Sequence, residues 1–363
     1  MKGRQVSAHS GSSKHYSLAC FELVAALAAL FFAGCACCAP QSGPARPEPV
    51  ERKLILLREC FDASEFTGPS GHTYPVFVVR GSKGPPILLL HEMPALNAET
   101  LELAKRIGSH GYRVYVPLLF GQLKDNPADR LFAIAHMVKK EDDPFWLAGH
   151  ADVERPVVRD IAAIARSIVG ENRPMHLGVI GLCFTGMLPL ALLGQEEPLP
   201  ELVAPVISQP ALPFPSCGEA RTHSLGISEP ELERARQRIV AQNLEILGFR
   251  FEKDQVSPWQ RFARLNWELN QVPGSRHFLD QTLMAARYHD VDGLPPRAHS
   301  VLTGEYRRWT CGHPEPATHY AYRELIAFLD AKLKHRVPQW FEAPGFAPGR
   351  TQPLWDAGDA FGG

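Results

Sequence analysis

Neither sign of charge is in surplus in this sequence: 38 Lys and Arg stand against 39 Asp and Glu, for a formal net charge of −1. Both signs are mixed along the chain. No basic stripe points to a nucleic-acid partner, and no polybasic patch points to an anionic membrane surface. Methionine is scarce, and after Met1 the next one is Met93. An ATG start there is excluded, because it would cut into a strand and loop the fold needs. Past the first forty residues four cysteines are left, Cys60, Cys183, Cys217 and Cys311, with no C-x-x-C pair among them. That argues against a zinc site. A disulfide among Cys60, Cys217 and Cys311 needs an oxidising compartment, and spacing selects no pair. No G-x-G-x-x-G follows a strand, which disfavours a dinucleotide fold. No internal repeat is visible. His91-Glu92 does not open a zinc-protease H-E-x-x-H, because Ala95 occupies the place of the second His.

The 363 residues allow one large α/β domain or two ordinary ones, and a core that needs no staples. The front end differs in composition. Lys2, Arg4 and Lys14 precede an apolar run from Leu23 to Ala33, which is too short to span a bilayer. The run ends in Phe32-Ala33-Gly34-Cys35, which resembles a bacterial lipobox with Cys35 as the lipidated residue. Residues 1–35 read as a leader of an exported protein or lipoprotein, anchored to a membrane only there. The alternative is a non-ATG start near Val50, which makes the protein cytoplasmic. Residues 36–50 read as a linker, 51–335 as the folded domain, and 336–363 as a Pro/Gly-rich tail with Trp340 and Trp355.

Within the domain, strand and helix patterns alternate. Apolar runs at Val76–Arg80 and Ile87–Leu90 are followed by a helical pattern over Ala98–His110, a strand over Tyr112–Leu119 and a helix over Val153–Val169. Strands over Val203–Ser208, Glu245–Phe251 and Phe278–Met284 alternate with helices over Glu231–Leu244, Pro258–Asn270 and Pro316–Lys334. This order predicts an α/β protein with a mainly parallel central sheet and helices on both faces.

The stretch Met175–Leu193 organises the rest. A buried strand to Ile180 leads into Gly181-Leu182-Cys183-Phe184-Thr185-Gly186, and a helical segment follows. The sequence approximates the nucleophile elbow G-x-S-x-G, with Cys183 for Ser and Thr185 where the second Gly stands. A sulfur on such a turn, at a helix N-terminus, is favoured as thiolate. The alternative is a small buried hydrophobe. An elbow nucleophile needs an acid and then a His downstream. Glu252 and Asp254 end a strand; Asp254 fits better, in the loop Asp254–Pro258, where it also reads as a helix cap. The histidine candidates are His277, His289, His299, His313 and His319. His299, on a Pro-rich loop with an apolar anchor, is preferred, with His313 as runner-up. Second oxyanion donors belong at the strand end His91-Glu92-Met93, so the backbone N–H groups of Phe184 and Met93 are expected to hold the oxyanion. Glu92, buried after a strand, either makes a structural hydrogen bond or meets Cys183.

These residues together resemble the dienelactone hydrolases over roughly Val76 to Leu333. The matching positions are Glu92 after an early strand, Cys183 in G-L-C-F-T-G, Asp254 after a late strand, and His299 in A-H-S-V-L-T. The resemblance implies an α/β-hydrolase fold, a Cys-His-Asp triad of Cys183, His299 and Asp254, and a role for Glu92 in tuning the thiol. It implies hydrolysis of a small ester or lactone with no metal or organic cofactor. Three positions depart from the family pattern: Thr185 for Gly, Ala298 for Gly, and Thr303 where the founding enzymes hold the substrate carboxylate with Arg. A non-catalytic envelope binding protein on the same scaffold is the rival from another class. A redox-active thiol protein is disfavoured, since no resolving Cys lies near Cys183. Oligomeric state has no signature here.

Overall fold

The computed structural model describes residues 49–93, 95–123, 154–172, 175–213, 219–271, 276–283, 294–295 and 297–334. The leader with Cys35, the linker up to residue 48, Cys217, His289 and the tail 336–363 lie outside the described residues.

Eight strands are present among the described residues: β1 Phe61–Thr67, β2 Thr73–Val79, β3 Pro86–Leu90, β4 Arg113–Pro117, β5 Leu177–Leu182, β6 Leu202–Ser208, β7 Ile246–Phe251 and β8 Phe278–Leu283. They form one sheet in the order β1-β2-β4-β3-β5-β6-β7-β8. The β1–β2 and β2–β4 pairings are antiparallel, and every other pairing is parallel. The helices are α1 Pro49–Cys60, α2 Ala98–Ser109, α3 Pro156–Glu171, α4 Leu188–Leu193, α5 Glu219–His223, α6 Glu229–Ala241, α7 Trp259–Leu269 and α8 Ala317–Leu333.

The apolar runs of the middle strands are buried on both faces, as a parallel sheet requires. In β3, Leu88 and Leu90 join a core with α3, α4, α6 and α7, through Ile161, Leu190, Leu232 and Phe262. Ile87 and Leu89 point the other way, into a core with α1, α2 and α8, through Leu57, Leu101 and Leu325. The strand period of two thus sorts one continuous run onto two opposite cores.

Two elements were not expected. β1 has the sequence FDASEFT, in which only Phe61 is buried. It carries no hydrophobic pattern, and its place is set by seven consecutive pairings with β2. α1 begins at Pro49, inside the segment read as linker, and packs Leu56 and Leu57 inward. The helix after the elbow also starts late, at Leu188, because Pro189 belongs in a first helical turn and a 3-10 turn, Cys183–Thr185, precedes it.

The C-terminal ends of β3, β5, β6 and β7 lie side by side along one edge of the sheet. In open α/β sheets this edge is where sites are built. Cys183 follows β5, His91–Met93 follow β3, Gln209 follows β6 and Asp254 lies just past β7.

Candidate active site

Cys183 has φ +50, a left-handed conformation unusual for a residue with a Cβ. Strain of this kind costs roughly 1–3 kcal/mol and persists only where the surroundings fix it. Here they do. The Cys183 carbonyl accepts from Gly186 N at 2.9 Å and from Ala211 N at 2.8 Å. A Cβ on Gly181 would lie 2.3 Å from the Thr185 carbonyl oxygen. A Cβ on Gly186 would lie 2.7 Å from Pro210 Cα and 2.9 Å from the Ser208 carbonyl oxygen. The second crowded glycine of this elbow is therefore Gly186, one position later than in the usual pattern.

Thr185 fills the displaced position with a purpose of its own. Its buried hydroxyl accepts from Leu182 N at 3.0 Å. It donates its proton among three carbonyls, Leu90 and Leu182 at 3.0 Å and His91 at 3.2 Å. The hydroxyl ties the elbow to the end of β3, where the expected oxyanion donor Met93 stands. Thr185→Val keeps the shape and removes the bonds. It is expected to lower unfolding free energy by ~1–3 kcal/mol in urea denaturation, the cost of leaving a buried donor unpaired.

Asp254 is buried and divides its two oxygens. Oδ1 accepts from Val256 N at 2.9 Å and Ser257 N at 3.0 Å, the cap of its own loop. Oδ2 accepts from His299 Nδ1 at 2.7 Å. One oxygen of Asp254 thus caps the loop and the other faces His299. Arg250 braces the same loop through the carbonyls of Ser257 and Glu252, each at 3.0 Å.

His299 is buried, hydrogen-bonds to Asp254 and is under the electrostatic influence of Cys183. Burial works against an imidazolium there. The negative charges of Asp254 and Cys183, and the hydrogen bond to Asp254, outweigh it and hold the His299 pKa well above the usual histidine value. The other described candidates are elsewhere. His277 is buried beside the Leu244 carbonyl at 2.8 Å. His313 is exposed on a turn whose carbonyl accepts from Trp309. His319 pairs with Glu315 on α8.

Glu92 takes the structural branch of its two readings. Its carboxylate accepts from Thr303 Oγ1 at 2.8 Å, Ser300 Oγ at 3.0 Å and Asn97 Nδ2 at 3.2 Å. Thr303, at the position of the family's substrate-binding Arg, is thus a buried partner of Glu92. Glu305 was not anticipated. Its Oε1 accepts from His299 N at 3.2 Å, so it fixes the backbone that carries the imidazole. Burial raises the Glu305 pKa, against the lowering effect of His299.

His91 bridges two strand ends. Its Nδ1–H donates to the Glu92 carbonyl at 3.0 Å, and Nε2 accepts from Leu119 N at 3.0 Å. This pattern requires the neutral ring, and burial lowers its pKa to about 4. The unfolded ring binds a proton below ~6.5, while the folded ring refuses it until pH is much lower. Stability is therefore lost as pH falls from ~6.5 towards 4, by up to ~3 kcal/mol from this residue. Urea denaturation across that range should show the slope, and His91→Gln should flatten it.

Cys60 and Cys311 are free thiols. Among the described residues no group of His, Cys, Asp or Glu is arranged to hold a metal ion, and no helix is long and apolar enough to cross a membrane.

No protein-family model matches the chain, and no curated protein matches its sequence. Among solved structures it is similar to a protein assigned as a dienelactone hydrolase from Klebsiella pneumoniae subsp. pneumoniae, at 19% identity and TM-score 0.41, covering 61% of this chain and 85% of that one. It is similar to a cold-adapted esterase from an Arctic intertidal metagenomic library, at 14% identity and TM-score 0.44, covering 75% and 93%. It is also similar to the acylaminoacyl peptidase of Pyrococcus horikoshii, at 15% identity and TM-score 0.45, covering 79% of this chain but 44% of the peptidase. These likenesses concern fold alone. The fold itself rests on the sheet order, with antiparallel pairings at one edge and parallel pairings throughout the rest, and on the left-handed cysteine turn after β5. On that ground the chain has the α/β-hydrolase fold.

Proposed function

We propose that the protein hydrolyses small carboxylic esters or lactones, in the manner of the dienelactone hydrolases, with Cys183 as nucleophile, His299 as general acid and base, and Asp254 as the group that orients His299. The observation that carries this reading is the buried His299, bonded to Asp254 at 2.7 Å and under the electrostatic influence of Cys183, a thiol on a strained turn.

The raised pKa of His299 suits it to take the thiol proton, which makes the attacking sulfur a thiolate. The thiolate attacks the ester carbonyl, and the carbonyl π pair moves onto oxygen. The N–H groups of Phe184 and Met93 hold that oxyanion; loss of one such donor elsewhere costs ~3–4 kcal/mol of barrier. Register supports the pairing of these two, since Leu90 lies opposite Gly181 and both segments leave the sheet at the same edge. As the intermediate collapses, imidazolium protonates the leaving oxygen and a thioester is left on Cys183. The now neutral His299 takes a proton from water, hydroxide adds to the thioester, and collapse releases the acid and restores the ion pair. Glu92 and Glu305 act through the loop 299–305 rather than on the substrate. The step uses no metal and no organic cofactor.

Hydrolysis of a p-nitrophenyl ester tests this. The wild type is expected to turn over, and His299→Ala is expected to lose that turnover while retaining its fold by circular dichroism. A wild type that binds but never hydrolyses such esters would favour the non-catalytic binding protein. Equal turnover in His299→Ala would reject the triad.

A further inference from the structure

Gln209 is the first residue past β6 and is fully buried. Its φ is +34, so two neighbouring strand ends, at Cys183 and Gln209, each carry a left-handed residue with a side chain. Such strain gathers at sites. The backbone of Gln209 is fixed on the β7 side, where Gln209 N donates to the Phe249 carbonyl at 2.6 Å. Two residues on, Ala211 N bonds the Cys183 carbonyl at 2.8 Å. The side chain is oriented as well. Ser208 Oγ donates to Gln209 Oε1, which turns the amide nitrogen away from Ser208. That nitrogen, Nε2, is buried and has no hydrogen-bond acceptor among the described residues. A buried amide donor left without an acceptor is destabilising, so the fold holds this group against a penalty.

We propose that Gln209 is a specificity-determining residue whose Nε2 donates to a second, uncharged oxygen on the acyl part of the substrate. The inference rests on the ester-hydrolase reading above and narrows its substrate class. β5 lies between β3 and β6 in the sheet, so Gln209 flanks Cys183 on the side opposite the Met93 strand end. The oxyanion donors hold the carbonyl oxygen and His299 serves the leaving oxygen. The acyl chain is the substituent left for the amide. A neutral amide suits an ether, hydroxyl or ester oxygen. It does not suit a bare carboxylate as Arg does, and the family's Arg position is here Thr303, occupied with Glu92.

Two esters of equal shape and leaving group test this: p-nitrophenyl methoxyacetate, which carries the second oxygen, and p-nitrophenyl butyrate, which does not. Intrinsic reactivity cancels when the ratio of their kcat/KM values is compared between proteins. In Gln209→Met, of nearly the same volume, the ratio of methoxyacetate to butyrate is expected to fall about three- to tenfold, the worth of one hydrogen bond. Gln209→Leu, which also removes the donor and leaves an apolar side chain, is expected to shift the ratio the same way. It stands in for the methionine variant if that protein does not fold. An unchanged ratio in a folded variant overturns the inference and leaves the hydrolase reading intact. Absence of turnover of either ester by the wild type, by contrast, sinks the hydrolase reading itself.

Discussion

Replacing Cys183 by Ala is expected to abolish ester turnover, with kcat falling by ~10,000-fold or more, while the protein stays folded. The size follows from the chemistry: removing a nucleophile costs as much as removing the whole catalytic group, because the members act as a unit. The stability of the variant follows from the geometry. Alanine keeps the Cβ at φ +50, and the bonds that hold the turn in place come from Gly186 N and Ala211 N to the backbone of residue 183. None of these involves the sulfur. A thermal melt within a few degrees of wild type, together with lost p-nitrophenyl acetate hydrolysis, is the expected pair of results. If Cys183 were only a buried hydrophobe, the substitution would cost some stability and no activity.

Asp254→Asn is expected to lower kcat by ~1,000- to 10,000-fold with little loss of stability. Asparagine keeps an oxygen to accept from Val256 N and Ser257 N, so the loop cap survives. The amide nitrogen then faces His299 Nδ1 and donates where the carboxylate accepted. The imidazole must turn to the other tautomer, with its proton on Nε2, and in that form it cannot take a proton from the thiol or from water. The negative charge that raises the His299 pKa is lost as well. The rate of Cys183 alkylation by iodoacetamide should accordingly move to higher pH in the variant, since the imidazolium that stabilises thiolate has lost its partner. A role confined to capping predicts neither the drop in kcat nor that shift, and a fall in stability instead. Asp254→Ala removes cap and orienter together, and is expected to show both effects.

The elbow strand, the cysteine, the acid and the histidine were legible in sequence because each leaves a local mark. An apolar run ends in small residues at Gly181 and Gly186, a carboxylate sits in a loop before a helix, and a histidine sits on a rigid loop. The chain order of the fold then says which is which. His299 and Asp254 meet across 45 residues of sequence, the pair that chain order and loop context favoured. What was not legible depends on contacts with no local mark. The Thr185 hydroxyl reads as a flaw in a glycine pattern until β3 brings the Leu90 carbonyl, 95 residues away, against it. Thr303 reads as a missing Arg until Glu92, 211 residues away, accepts its proton. Glu305 and Gln209 sit in unremarkable sequence, one holding the His299 backbone and the other ending a strand in a left-handed turn. β1 is polar along most of its length and is a strand only because β2 offers it an edge.

The central claim is that a thioester forms on the sulfur of Cys183. The direct measurement is rapid acid quenching of the protein during turnover of p-nitrophenyl acetate, followed by peptide mass spectrometry. One acetyl group is expected on the peptide containing Cys183 during turnover, and none on the corresponding peptide of Cys183→Ala. Acetyl found on another residue of a turning-over enzyme, with Cys183 unmodified throughout, would contradict it.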